Sequence, residues 1–232
     1  SVPPASYTSV HIYPTVPATI SGTLSTAIIK LNGADNVTID GSLGGLGNAD
    51  RSLTVQNNSN ATGTAAIWLS SVAAGNGCSN NMIRSLEIRS SQDMTAGSSS
   101  TFGIIMCGTT ISTSSNGVDN DNNSFVNNHI IKFRYGIVTR GTTTDLNINP
   151  VITDNVIGPN AFGTDQIGKA GIFLQADQGA LVARNTVQFV GLLTTHTASS
   201  TDKMGIAIGT ESWSMSPGTL TGNNYVIVDN VI

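Results

Sequence analysis

Thr64-Ala65-Ala66-Ile67-Trp68-Leu69 returns along the chain as Gly103-Ile104-Ile105-Met106, Gly136-Ile137-Val138-Thr139, Gly171-Ile172-Phe173-Leu174 and Gly205-Ile206-Ala207-Ile208, after a first copy at Thr26-Ala27-Ile28-Ile29-Lys30-Leu31. One isoleucine holds the same place in every copy: Ile29, Ile67, Ile104, Ile137, Ile172 and Ile206, at spacings of 38, 37, 33, 35 and 34 residues. A fixed period of this size marks a repeat architecture. The units alternate at period two, as strands do, and carry no helical segment, which excludes the helical repeats of similar length. A propeller blade would need hairpin signals between its strands. Copies that occur once per period stack most simply as parallel strands, about 4.8 Å apart, through right-handed connections. The sequence therefore predicts an all-β fold. It is a right-handed parallel β-helix, or β-solenoid, of about six coils of 33–38 residues with variable turn insertions, in a single domain over 1–232.

A second pattern lies inside each period. It reads Asn36-Val37-Thr38-Ile39-Asp40-Gly41, Asn81-Met82-Ile83-Arg84-Ser85-Leu86 and Ser124-Phe125-Val126-Asn127-Asn128-His129-Ile130, with later copies at Val151–Ile157, Leu181–Val187 and Tyr225–Ile232. The distance between the two patterns varies, so strands persist while turns change length. The isoleucines and the residues two places on (Leu31, Leu69, Met106, Thr139, Leu174, Ile208) are expected to point inward and stack. Each buried isoleucine contributes about 1.5–3 kcal/mol. Gly103, Gly136, Gly171 and Gly205 are expected to mark a bend that needs φ > 0. Asn128, Asn155, Asn185 and Asn230 are placed to hydrogen-bond along the axis as a ladder.

Composition restricts the function. Charged residues make up 10% of the chain, Lys+Arg number 10, Asp+Glu number 14, and the net charge is -4. That balance gives no basic footprint for nucleic acid and no polybasic patch for anionic lipid. No apolar run is long enough for a membrane span. The hydrophobic fraction of 39% argues against disorder despite abundant Gly, Ser, Thr and Asn. A polar, Lys-poor, Thr- and Asn-rich chain reads as extracellular.

Gly33-Ala34-Asp35-Asn36-Val37-Thr38-Ile39-Asp40-Gly41-Ser42, followed by Leu53-Thr54-Val55-Gln56-Asn57, resembles the pectin-lyase-like parallel β-helix superfamily. More narrowly, the chain is similar to large secreted surface proteins of Bacteroidota-type bacteria, and Asn120-Asp121-Asn122-Asn123-Ser124 resembles a recurrent turn of those proteins. The resemblance covers Tyr7 to Ile232 and speaks to fold more than to function, since one fold hosts many activities. It implies a chain that is part of a longer protein or of an assembly. It also brings in polysaccharide lyases and glycoside hydrolases, which need clustered acids, often with Ca²⁺ and a basic residue, on one outer sheet.

No such cluster is evident in the sequence. Of His11, His129 and His196, none lies in a nucleophile or metal pattern, and His129 reads first as a turn residue. Asp119 and Asp121 offer oxygens for Ca²⁺, against the simpler reading of a polar turn. Lys132 and Arg134 alternate with Phe133 and are expected on a solvated face of one strand. Cys78 and Cys107 fall in adjacent coils, where a disulfide and two free thiols are equally open. Asp154, Asp177 and Arg184 are the nearest set for an atypical carbohydrate-active site. Trp68 or Trp213 would serve as a stacking platform in a glycan-binding module. The sequons at Asn36, Asn57, Asn60 and Asn122 imply little in a bacterial protein.

One column asks for an explanation. Lys30, Trp68, Ile105, Val138, Phe173 and Ala207 lie between the two inward columns, so alternation sends them outward, yet most are apolar. An outward apolar stripe needs cover. The simpler reading is cover by turn insertions such as 90–100 or 192–203. The sharper one makes Trp68, Ile105, Val138 and Phe173 a binding face. The leading expectation is a non-catalytic structural or adhesive solenoid of the cell surface or of an extracellular filament. Its partners would be copies of itself, other surface proteins or polysaccharide, and no cofactor is expected beyond the weak Ca²⁺ candidate. The alternatives are a carbohydrate-active domain with an atypical site and a glycan-binding module.

Overall fold

The computed structural model describes residues 7–90, 100–163, 165–191, 203–209 and 222–232. These form an all-β fold of parallel sheets, compatible with a solenoid. Sheet A has seven strands: Val10–Ile12, Val37–Asp40, Met82–Arg84, Ser124–Val126, Val151–Thr153, Leu181–Ala183 and Val226–Val228. Sheet B has six: Ala18–Gly22, Leu53–Asn57, Leu86–Arg89, His129–Ile131, Val156–Ile157 and Thr186–Val187. Sheet C also has six: Ala27–Asn32, Thr64–Ser70, Thr101–Cys107, Tyr135–Arg140, Ala170–Gln175 and Met204–Ile208. The chain visits A, B and C in turn, so each strand pairs with its counterparts one coil before and one coil after. A two-stranded sheet, Asn147–Ile148 with Asp177–Gln178, joins the later coils between C and A.

The register of sheet C is the one the repeat predicts. Ile29, Ile67, Ile104, Ile137, Ile172 and Ile206 pair in succession, as do Leu31, Leu69, Met106, Thr139, Leu174 and Ile208. The four middle isoleucines have no exposed surface. They share one apolar interior with Ile39, Ile83, Phe125, Ile152 and Val182 of sheet A, and with Val55, Ile88, Ile130, Ile157 and Val187 of sheet B. Three sheets therefore turn one face each onto a common core, and alternation along each strand does the sorting.

Gly103, Gly136, Gly171 and Gly205 correct the expectation about bends: they are strand residues without positive φ. Their reason is space. A Cβ on Gly103 would meet the Ile130 side chain and the Gly136 carbonyl, one on Gly136 the Ile157 side chain and the Gly171 carbonyl, and one on Gly171 the Val187 side chain and the Gly205 carbonyl. Sheet C bends close to sheet B at this column, and only a residue without a side chain fits.

The corners between sheets come from left-handed residues. Ser85, Asn127, Asp154, Arg184 and Asp229 have φ between 54° and 60° and stand one over another between sheets A and B. Asn36, Asn80, Asn122, Asn149 and Asn224, with φ between 51° and 59°, stand likewise at the entry to sheet A. Asn and Asp tolerate this region better than other residues. The second sequence pattern, read as one strand, is thus two strands of two sheets with a sharp corner between them. It also explains the coil lengths. Measured at this corner, successive coils differ by 42, 27, 30 and 45 residues. The narrower 33–38 spacing belongs to sheet C alone, because insertions fall on different sides of it.

Beyond each A-to-B corner an asparagine ladder forms, as expected. The Asn155 Oδ1 accepts from the backbone N and Nδ2 of Asn128 at 2.9 and 3.0 Å. Asn185 receives the same pair from Asn155, and Asn230 from Asn185. A second ladder at the entry to sheet A joins Asn81 to Asn123. Buried backbone donors that the corners pull away from the sheets are satisfied in this way.

Candidate functional site

A cleft whose lining mixes titratable and apolar groups lies beside sheet B. It forms where the coil-five chain leaves sheet B at Ile157 and makes a long excursion before entering sheet C at Ala170. Gly158 starts that excursion at φ 104°, with its N–H donating to the Ile130 carbonyl at 2.8 Å. A Cβ on Gly158 would strike the Gln188 carbonyl. The Gln188 Nε2 donates to the Pro159 carbonyl at 2.7 Å and tethers the excursion to the next coil. The resulting cleft has a volume of about 390 Å³. His129 and Ile131 line it from sheet B, while Pro159, Asn160, Ala161 and Gly163 line it from the excursion together with Asp165.

The ionisable side chains in and beside the cleft contact one another. His129 faces outward next to Glu87 of the preceding strand. Its Nδ1 lies 2.7 Å from the Glu87 carboxylate and its Nε2 3.3 Å from the Gly158 carbonyl. Both ring nitrogens face acceptors. Asp165 meets the Lys132 ammonium at 2.9 Å, and the Lys132 N–H donates to the Asp165 carbonyl. Phe162 sits between two lining residues, is 64% exposed, and meets Phe189 edge-on with ring centres 6.2 Å apart. His129 is thus the first residue of a strand and part of a constructed cleft, where the sequence read a turn residue.

The other candidates are scattered. Trp68, Ile105, Val138 and Phe173 do lie outside sheet C, in register with Lys30 and Ala207. They are buried, though, in a second apolar cluster with Phe102 and Tyr135, whose rings stack at 5.0 Å. The stripe is therefore a second core and offers no open binding face. The Lys30 ammonium lies 4.0 Å from the Trp68 ring centre, a cation–π contact at the end of that column. Burial removes Trp68 as a stacking platform, and Trp213 and His196 lie outside the described residues.

Cys78 and Cys107 are both free and buried, which corrects the disulfide candidate. Cys78 belongs to the inner core and Cys107 to the outer cluster, so one sheet separates them. Burial raises both thiols, Cys107 to about 11, which makes them inert toward oxidation. Among the described residues no three His, Cys, Asp or Glu side chains gather to hold a metal. Asp119 and Asp121 serve turns: Asp121 accepts from the Ile148 N–H at 2.8 Å, and Asp119 from the Gly75 N–H. Lys132 and Arg134 flank a turn, with Lys132 at φ 65° and Phe133 in the inner core, so they do not share one strand.

Asp154, Asp177 and Arg184 do not converge. Arg184 grips Asp154 with two contacts of 2.8 Å on the surface, and this pairing lowers the Asp154 carboxyl against the opposing effect of burial. Asp177 is inside the stack with no exposed surface. It accepts from the Thr139 hydroxyl at 2.6 Å and from Asn147 Nδ2 at 2.8 Å, while burial pushes it up to about 7. A buried acid not apparent from the sequence is Asp40. Burial would raise it, but hydrogen bonds from Ser42 and the Arg84 guanidinium at 2.7 Å outweigh that and hold it below the ordinary value. It also receives the Gly47 N–H and so fixes the turn after sheet A. No protein-family model and no curated protein matches this chain.

Proposed function

We propose that the chain is a right-handed parallel β-helix that works as a secreted structural or adhesive element of the cell surface, akin to the pectin-lyase-like surface proteins its sequence resembles. The observation that carries this reading is the double core. Sheet C is buried on both faces, and asparagine ladders tie successive corners, so each coil is held to the next by backbone, amide and apolar contacts at once. Such a stack is a rigid rod suited to projecting or spacing surfaces. Its charged residues are few, at 10% of the chain, while Ser, Thr and Asn are abundant.

The test is incubation of the purified chain with a panel of neutral and acidic polysaccharides while products and retention on the immobilised polymers are followed together. The adhesive reading expects retention without products. Product release in proportion to protein concentration would contradict it and favour the carbohydrate-active reading.

A further inference from the structure

Three Asn-Gly pairs occur in the chain, Asn32-Gly33, Asn76-Gly77 and Asn116-Gly117. Each lies in a connection that leaves sheet C, after coils one, two and three. We propose that the fold protects two of them and leaves Asn76 as a site of spontaneous deamidation, a covalent modification that converts it to aspartate or isoaspartate. The site is independent of what the surface grips.

The chemistry sets the requirement. The Gly77 nitrogen gives its proton to solvent base and attacks the Asn76 Cγ. A new C–N bond closes a five-membered succinimide, and the side-chain nitrogen takes up a proton and leaves as ammonia. Water then opens the ring at either carbonyl, so asparagine and water become aspartate or isoaspartate and ammonia. Glycine as the attacking residue carries no Cβ to crowd the approach. The attacking N–H must also be free, because a backbone hydrogen bond would have to break first. Gly33 donates to the Ser70 carbonyl of the next coil at 2.9 Å, and Gly117 to the Arg140 carbonyl of the next coil at 3.0 Å. Asn116 is held further through its Oδ1, which accepts from Arg140 Nε and Nη2 at 3.0 and 2.7 Å. After coil two the same duty falls to Ser71, whose N–H donates to the Cys107 carbonyl at 3.1 Å. A turn follows, closed by the Asn76 N–H on the Ala73 carbonyl and the Val72 N–H on the Asn76 carbonyl, both at 2.9 Å. The bond between coils is thus made before the turn. Among the described residues neither the Gly77 N–H nor the Asn76 side-chain amide has a hydrogen-bond partner. Gly77 is itself buried, and a Cβ there would strike the Asp119 and Val118 carbonyls, so glycine is obligatory at the attacking position. Asn76 is exposed with the rest of the turn, 72–75, and opens the pair to water.

The test is incubation of the purified full chain at mildly alkaline pH in heavy-oxygen water, followed by peptide mapping with mass spectrometry. The same incubation in urea gives each pair its own unfolded reference rate, and Asn76→Gln, which would have to close a six-membered ring, is run beside the unaltered protein. Relative to those references, Asn76 in the folded chain is expected to react about tenfold faster than Asn32 or Asn116, the factor set by one hydrogen bond that must break first. Each event adds a negative charge to a chain of net charge -4, so a more acidic form accumulates on isoelectric focusing. Asn76→Gln is expected to accumulate none of it. Thermal unfolding at the incubation pH identifies the conditions in which both proteins stay folded. Equal protection of the three pairs in the folded chain overturns the proposal. So does faster reaction at Asn32 or Asn116, or an acidic form that builds up equally in Asn76→Gln.

Discussion

At the scale of single residues, polarity inside the stack is the main liability. Asp177 is enclosed by Thr139 and Asn147, and Tyr225 accepts its backbone N–H through the phenol oxygen at 3.2 Å. The Asn147 Oδ1 is buried without a partner. An aspartate titrates near 3.8 in the unfolded chain and near 7 here. Between those values the folded chain keeps a proton that the unfolded chain has released. Stability therefore falls as pH rises across that window, and the full penalty is present above it. Asp177→Asn should flatten this slope and raise the melting temperature at pH above 7, because its amide can donate to Asn147 Oδ1. Unfolding curves recorded across the window check this. An unchanged slope would assign the dependence elsewhere. The sequence offered Asp177 as an acid of an atypical carbohydrate-active site. Its burial follows from the two-stranded sheet that draws Asn147 and Asp177 inward, a tertiary placement that no local pattern carries.

At the scale of elements, the corners and the glycine column decide the path. Asn155 accepts two bonds from Asn128 and donates to the carbonyls of Phe125 and Thr153 and to Asn185. Asn155→Ala strands buried donors and acceptors on three coils and should cost about 3 kcal/mol, measured by denaturant unfolding. Gly136→Ala should cost about 1–3 kcal/mol through overpacking against Ile157 and the Gly171 carbonyl. A cost near zero would mean that sheets B and C are farther apart. The sheet C strands were legible because six copies align on one isoleucine. The strands of sheet B were not, since pieces as short as Val156–Ile157 merge with the strand before them until the left-handed Asp154 separates the two. The reason for Gly136 was also hidden, because a glycine looks the same in sequence whether it serves a positive φ or a close approach.

At the scale of the whole molecule, one sheet separates two apolar regions. Phe173 has no exposed surface although it points away from the inner core. Phe173→Ala should therefore cost about 3–5 kcal/mol, as much as a core truncation. A surface stripe would tolerate the change within a few tenths, and the same unfolding measurement separates the two. The sequence showed that the stripe needed cover, and the insertions it offered for that, 90–100 and 192–203, lie almost wholly outside the described residues. The cleft was equally out of sight. His129 and Asp165 are remote in sequence and line it together only because coils four and five are stacked.

The central claim is that stacking, and methyl NOE spectroscopy on a sample with labelled isoleucine δ1 methyls tests it most directly. In-register parallel strands about 4.8 Å apart require cross-peaks linking Ile67 to Ile104, Ile104 to Ile137 and Ile137 to Ile172 in one unbroken series. Cross-peaks that skip this order, or a sheet in which these isoleucines have no mutual contacts, would contradict it.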